Sequence, residues 1–94
     1  MFDIQVADGG QVKISGRLDA AQADRARDAL GRLPGPVVID CSELDYISSA
    51  GLGVLVQTFK RLNDAGSGLR LVRLTPRVRN VFTLSGLDRI IPVE

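Results

Sequence analysis

The stretch Tyr46-Ile47-Ser48-Ser49-Ala50-Gly51-Leu52-Gly53-Val54 carries the chemistry of this sequence. Two serines stand at the entrance to an apolar run with helical spacing, and two glycines follow within its first turn. Serine is a favoured N-cap, because its hydroxyl accepts one of the backbone N–H groups that a helix start leaves unpaired. That accounts for one serine. The glycines need a reason of their own, since glycine inside a helix costs about 1 kcal/mol relative to alanine. Two reasons fit: tight packing of this helix against the rest of the fold, or a helix start kept bare so that another molecule can approach. A bare helix N-terminus offers open N–H donors and a partial positive charge. A phosphate on a serine there sits well locally. It also adds roughly −1.5 to −2 charges to a surface that was neutral and partly apolar. A partner docked on that surface then meets a large electrostatic change, which is how a switch works.

Other site chemistries lack their residues. There is no histidine, so neither a triad with a His base nor a His-ligated metal site is expected. Cys41 is the single cysteine, which excludes an intramolecular disulfide and a cysteine metal cluster. No G-x-x-x-x-G-K-[ST] or G-x-S-x-G occurs, and Val56 stands where Gly51-Leu52-Gly53 would need a third glycine. The only lysines, Lys13 and Lys60, have no link to a serine that would make either a base. The expectation is a protein without catalytic residues, metal or cofactor.

The bulk numbers narrow the class. Ninety-four residues make one small domain spanning 1–94, with little material for a deep substrate pocket. Twelve Lys and Arg against eleven Asp and Glu leave a net charge of +1, which argues against a charge-driven nucleic-acid binder. Four aromatics, Phe2, Tyr46, Phe59 and Phe82, are too few for base-stacking platforms. No apolar run reaches the roughly 20 residues that span a bilayer, and no secretory signal is read at the start, so the expected location is cytoplasmic. Seven basic and two acidic residues lie between Lys60 and Arg89, which fits a mildly basic surface or, more simply, a solvated helix and strand edge.

The elements that must position the serines follow from local patterns. Phe2 to Val6 and Gln11 to Ser15 predict a hairpin around Asp8-Gly9-Gly10. Asp19 with Gln22 resembles a capping box, opening a helix with Ala23, Ala26, Leu30 and Leu33 at helical spacing; Gly31 and Pro34-Gly35-Pro36 stop it. Val37-Val38-Ile39 predicts a short strand buried on both faces, followed by a loop over 40–47. A helix from about Ala50 to Asn63 carries the stripe Leu52, Leu55, Val56, Phe59, Leu62. Leu69 to Leu74 predicts a strand. Thr75 as cap and Pro76 at the first position open a third helix, Gly86 closes it, and Ile90-Ile91 predicts a last strand. The order β-β-α-β-α-β-α-β implies an α/β fold with a small mixed, mostly parallel sheet packed with helices.

In this order and spacing the segments resemble a STAS domain, the sulfate-transporter and anti-sigma-factor-antagonist family. Gly16-Arg17-Leu18-Asp19 is similar to the family's early G-x-L-D. Val37 to Ile47 is similar to its central strand and following loop, and Ser48-Ser49-Ala50-Gly51-Leu52-Gly53 to its signature, commonly D-S-[ST]-G-L-G. Leu84-Ser85-Gly86-Leu87 with Ile90-Ile91 resembles its C-terminal S-G-L…I. The resemblance covers nearly the whole chain. It implies that the phosphorylated serine falls on Ser49, with Asp19 close by at the partner surface. Ser48 stands where the family usually has an acidic residue, which makes Ser48 the alternative acceptor. Many members carry a further C-terminal helix, so the surface such a helix covers is expected to be open here.

The resemblance also implies a role, that of a single-domain anti-sigma factor antagonist. Such a member in its unphosphorylated form binds an anti-sigma factor, often a serine kinase with a histidine-kinase-like ATPase fold. Phosphorylation breaks the complex and a PPM-type phosphatase restores it. The partner surface would take in Asp19, Ser48, Ser49, Gly51, Leu52 and Gly53. Two further roles occur among proteins that this one resembles: a non-catalytic scaffold subunit of a lipid-transport ABC complex, and a nucleotide-binding module. Neither direct nucleic-acid binding nor membrane insertion is expected.

Overall fold

Alternating burial builds the sheet, and the computed structural model describes all residues from Met1 to Glu94. Strand β1 is Phe2–Val6, β2 is Gln11–Leu18, β3 is Val37–Ile47 and β4 is Leu69–Val72. They lie in the order β1-β2-β3-β4, the first pair antiparallel and the other two parallel. Helix α1 is Ala23–Gly31, α2 is Ser49–Asp64 and α3 is Pro76–Ser85. Together they form a mixed four-stranded sheet with three helices, an α/β fold.

Each helix buries a short stripe. Ala23, Ala26 and Leu30 face inward from α1, Val78 and Phe82 from α3, and Gly51, Val54, Leu55, Thr58 and Leu62 from α2. In α2, Leu52, Val56 and Phe59 lie at the margin, only partly buried, so the stripe is rotated towards Val54 and Thr58. The helical side chains join Val12, Ile14, Leu18, Val37, Ile39, Leu44, Ile47, Leu69 and Leu71 in one core. Burying an aliphatic side chain stabilises by about 1.5–3 kcal/mol, and here almost the entire core is aliphatic. Helices α1 and α2, which connect successive parallel strands, lie side by side. Arg61 of α2 fastens them, its Nη2 donating to the carbonyls of Leu30 (2.9 Å) and Leu33 (3.0 Å) at the end of α1.

The other face of the sheet is open. Val38 is half-buried, so β3 is covered on one side, not on both as its apolar run predicts. Lys13 pairs with Glu43, Asp40 with Arg73 and Arg70 with Glu94 across this face. Exposed pairs of this kind add little stability, but they keep the face solvated.

The predicted loop over 40–47 is strand. Two bulges explain why its pattern is hidden. Cys41 and Ser42 oppose a single residue of β2, Ile14, and Asp45 is inserted between the pairs Gly16–Leu44 and Arg17–Tyr46. Core positions therefore fall at Val37, Ile39, Cys41, Leu44 and Ile47. A strict period of two breaks at each bulge while the strand continues.

Three other expectations need correction. Asp19 does not cap α1: its Oδ1 accepts the amide of Ala21 (3.1 Å), closing a turn ahead of the helix, and Gln22 is the cap residue without a side-chain bond. Strand β4 stops at Val72, short of Leu74, because Arg73 turns to φ 58°. Ile90-Ile91 is not strand. Leu87–Arg89 forms a 3₁₀ turn that buries Ile91, and the pairing with β4 comes later, between Leu71 and Val93. The third helix agrees with expectation: Thr75 Oγ1 accepts the Val78 amide at 3.3 Å, and Gly86 ends the helix at φ 77°.

Candidate functional site

Strands β2 and β3 end side by side. Leu18 pairs with Ile47, and the Ser48 amide donates to the Leu18 carbonyl at 3.0 Å. The next residue on each strand, Asp19 and Ser48, is thereby brought to the same edge, the carboxyl end of two parallel strands. Crevices at that end are the usual binding position in open α/β sheets.

The two serines have different tasks. Ser48 has extended backbone (φ −93°, ψ 174°), is half-buried, and its Oγ accepts the Gly51 amide at 3.3 Å. It is the N-cap of α2. Ser49 is the first helical residue and is exposed. The capping bond is made by Ser48, so the Ser49 hydroxyl is not engaged in it. With the Gly51 amide satisfied, the amides of Ser49 and Ala50 remain as donors at the positive end of α2.

The two glycines also separate. A Cβ built on Gly51 would lie 2.7 Å from the Leu18 carbonyl oxygen and 2.9 Å from Ile47 Cγ1. Gly51 is buried and serves packing, allowing α2 to start directly against the two strand ends. Gly53 has nothing within 4 Å of its Cβ position. It leaves the first turn bare on the solvent side. Packing therefore accounts for Gly51, while Gly53 meets open space.

Five of the six residues named from the sequence, Asp19, Ser48, Ser49, Leu52 and Gly53, reach the surface fully or in part, with Gly51 beneath them. A pair that the sequence reading did not select stands next to them. Arg17 and Tyr46 are opposite one another in the β2–β3 register, one step before Leu18 and Ile47, and the Arg17 guanidinium carbon lies 4.2 Å from the Tyr46 ring centroid. Such stacking is worth about 0.5–1 kcal/mol at exposed sites. The pair places a cation on the open face, near the ends of the two strands that lead to Asp19 and Ser48. Its one signal in the sequence was an aromatic just ahead of the serines; the partner depends on strand register.

Cys41 is buried in the core, and burial pushes its thiol up to about 12. No three His, Cys, Asp or Glu side chains gather as a metal site. No helix is long and apolar enough to cross a membrane. The arrangement offers an exposed hydroxyl on a helix start with a bare first turn, at the strand edge that also carries Asp19.

Comparison with known proteins agrees with this fold. The family model for the STAS domain matches residues 2–94. The chain belongs to the STAS domain family. An anti-sigma-B factor antagonist of Bacillus subtilis is 35% identical over 87 residues, covering 89% of this chain and 80% of that one. The crystal structure of an anti-sigma factor antagonist from Mycobacterium paratuberculosis superposes with a TM-score of 0.87 at 30% identity, covering 99% of this chain and 85% of that chain. The Bacillus cell fate determinant SpoIIAA in its phosphorylated form matches at a TM-score of 0.71 and 20% identity, over 100% of this chain and 91% of that one, a likeness of fold. Some matches are shorter: BtrV of Bordetella bronchiseptica is 49% identical over 57 residues, and the chain spans about half (49%) of its length.

Proposed function

We propose that this protein is an anti-sigma factor antagonist that works by partner switching. In its unphosphorylated form it binds an anti-sigma factor, a serine kinase with a histidine-kinase-like ATPase fold. Phosphorylation of Ser49 ends that binding, and a PPM-type phosphatase restores it. The protein acts in the cytoplasm by binding alone, without catalysis of its own and without a cofactor. Asp19, Ser48, Leu52 and Gly53 share the partner surface with Ser49, and Gly51 sets the helix start beneath it.

The observation that carries this reading is the position of Ser49. It is an exposed hydroxyl on the first residue of α2, at the strand edge that also carries Asp19, in a chain whose relatives are named as antagonists. A phosphate there sits at the positive end of the helix, so the local fold tolerates it. The docking surface gains about −1.5 to −2 charges. The switch then costs the fold little and the complex much. Ser48 is the alternative acceptor, but its Oγ already caps the helix, and a phosphate on it would have to replace that bond.

The test uses wild type, Ser49→Ala and Ser49→Asp as baits in lysate of the source organism, followed by titration against the purified kinase that the wild type retains. Wild type and Ser49→Ala should bind alike. Ser49→Asp should bind at least tenfold more weakly, about 1.4 kcal/mol, and the kinase should label wild type but not Ser49→Ala. Equal affinity of all three forms overturns the switch. Retention of the same transporter ATPase by every bait would replace it with the scaffold role.

A further inference from the structure

Strand β1 is the bare edge of the sheet. The opposite outer strand, β4, is covered by the end of the chain: the Leu71 amide donates to Pro92, Glu94 to Leu71 and Arg73 to Glu94. Nothing of this kind covers β1. Its inward bonds are made by odd-numbered residues, with the Arg17 amide donating to the Met1 carbonyl and the Ala7 amide to that of Gln11, both at 2.8 Å. In an antiparallel pair the backbone groups alternate inward and outward. The register pairs Phe2 with Gly16 and Val6 with Val12. Phe2, Ile4 and Val6 therefore direct their N–H and C=O groups away from the sheet.

One of these groups is taken. Arg25 of α1 donates from Nη1 to the Phe2 carbonyl at 2.9 Å. Its Nη2 pairs with Asp3 Oδ1 at 3.3 Å, and its guanidinium carbon lies 5.6 Å from the centre of the Phe2 ring. Three contacts hold one side chain across the edge.

Exposed edges are templates for pairing, and proteins commonly block them with lysine, proline, inward charges or bulges. Phe-Asp-Ile-Gln-Val has no lysine and no proline, and its register to β2 is unbroken. Phe2, Ile4 and Val6 lie on the helix side with Ile14 and Val12, while Asp3 and Gln5 lie on the open side. A second copy, laid antiparallel with Ile4 opposite Ile4, would set each Phe2 opposite a Val6 and each Asp3 opposite a Gln5. The apolar residues then face one another and no like charges meet. Val6, 51% exposed in the single chain, would be covered. In this register the second copy's Val6 amide needs the Phe2 carbonyl, the atom that Arg25 occupies.

We infer that the outer edge of β1 is a pairing surface for a second copy of this chain, and that Arg25 holds it shut. The test is sedimentation velocity over a concentration series, on wild type, Arg25→Met, and Arg25→Met combined with Val6→Lys. Methionine keeps an aliphatic stem over Phe2 and removes the donors. Wild type should sediment as a single chain. Arg25→Met should move to twice that mass as concentration rises, and the added lysine should return it to a single chain. Three results overturn the inference: Arg25→Met stays single at every concentration, wild type itself pairs, or self-association survives Val6→Lys. Circular dichroism checks that each variant folds. If Arg25→Met does not fold, Arg25→Gln, which is neutral and too short to reach both Phe2 and Asp3, takes its place under the same outcomes.

Discussion

Gly51 rests on Leu18: a methyl group on its α-carbon would lie 2.7 Å from the Leu18 carbonyl oxygen and 2.8 Å from Leu18 Cγ. The same carbonyl accepts the Ser48 amide. The end of β2 thus fixes where α2 begins, and with it where the two serines stand.

The contrast with Gly53 gives the first prediction. Gly51→Ala should destabilise by about 1–3 kcal/mol, since a methyl group there forces backbone or a packed side chain to shift. Gly53→Ala should stabilise by roughly 0.5–1 kcal/mol, because it meets open space and alanine is the better helix former. Urea unfolding of both variants measures this. Equal shifts in midpoint would mean that the packing at Gly51 is not what selects glycine.

Ser48 and Ser49 should differ in what they contribute to the fold. Ser48→Ala removes the bond to the Gly51 amide and should cost about 1 kcal/mol. Ser48→Asp keeps an acceptor at the cap and should recover most of it. Ser49→Ala should change stability by less than about 0.5 kcal/mol, as for an ordinary surface site. Thermal or urea midpoints decide the matter, and a larger loss at Ser49 than at Ser48 would reverse the assignment of the cap.

Acid should weaken the fold partly through Asp40. The Ser42 amide donates to its Oδ1 at 2.8 Å, and Arg73 lies 3.3 Å from Oδ2. The hydrogen bond from Ser42, with Arg73 and Lys13 assisting, holds the carboxyl below its ordinary range. A pKa lowered in the folded state means a contribution that is complete above the unfolded value of about 3.9 and is lost as pH falls through the lower folded one. Asp40→Asn should therefore flatten the decline in urea midpoint between pH 5 and pH 2.5, about the window in which a depressed carboxylate titrates. An unchanged slope would remove Asp40 from the acid response.

Cys41 should be silent until the protein opens. Its side chain is buried, it donates weakly to the Ile39 carbonyl at 3.7 Å, and its thiol is pushed up to about 12. The thiolate is the reactive form, so a disulfide reagent at pH 8 should label the native protein only as fast as it unfolds. Urea should release the full single equivalent at once. Rapid labelling of the native state would show that β3 frays at its first bulge.

Much of this fold was legible because its signals are short. Thr75-Pro76 and Gly86 mark the two ends of α3, and Ser48 caps α2, through bonds that reach three residues or fewer. The upper half of β3 was not legible, since bulges at Ser42 and Asp45 shift its core positions off a period of two. Asp19 looked like a cap because residue type and spacing fit; a turn that closed on Ala21 first took the carboxylate. The last pairing was misplaced for a similar reason. Ile90-Ile91 is the apolar pair, but the 3₁₀ turn before it delays the return to β4 until Val93.

By itself the sequence determined the alternation of strands and helices, the aliphatic core, and the serine-glycine helix start as the place where chemistry could occur. These depend on periodicity, caps and turns, which act over one or two turns of chain. Only the tertiary structure decided that Asp19 and Ser48 meet at one strand edge, that Gly51 packs while Gly53 is bare, that Arg17 stacks on Tyr46, and that Arg25 binds the Phe2 carbonyl at the edge of β1. Each of these depends on strand register or on how a helix seats against the sheet. Register is fixed by contacts between distant segments, and no local pattern in either segment contains it.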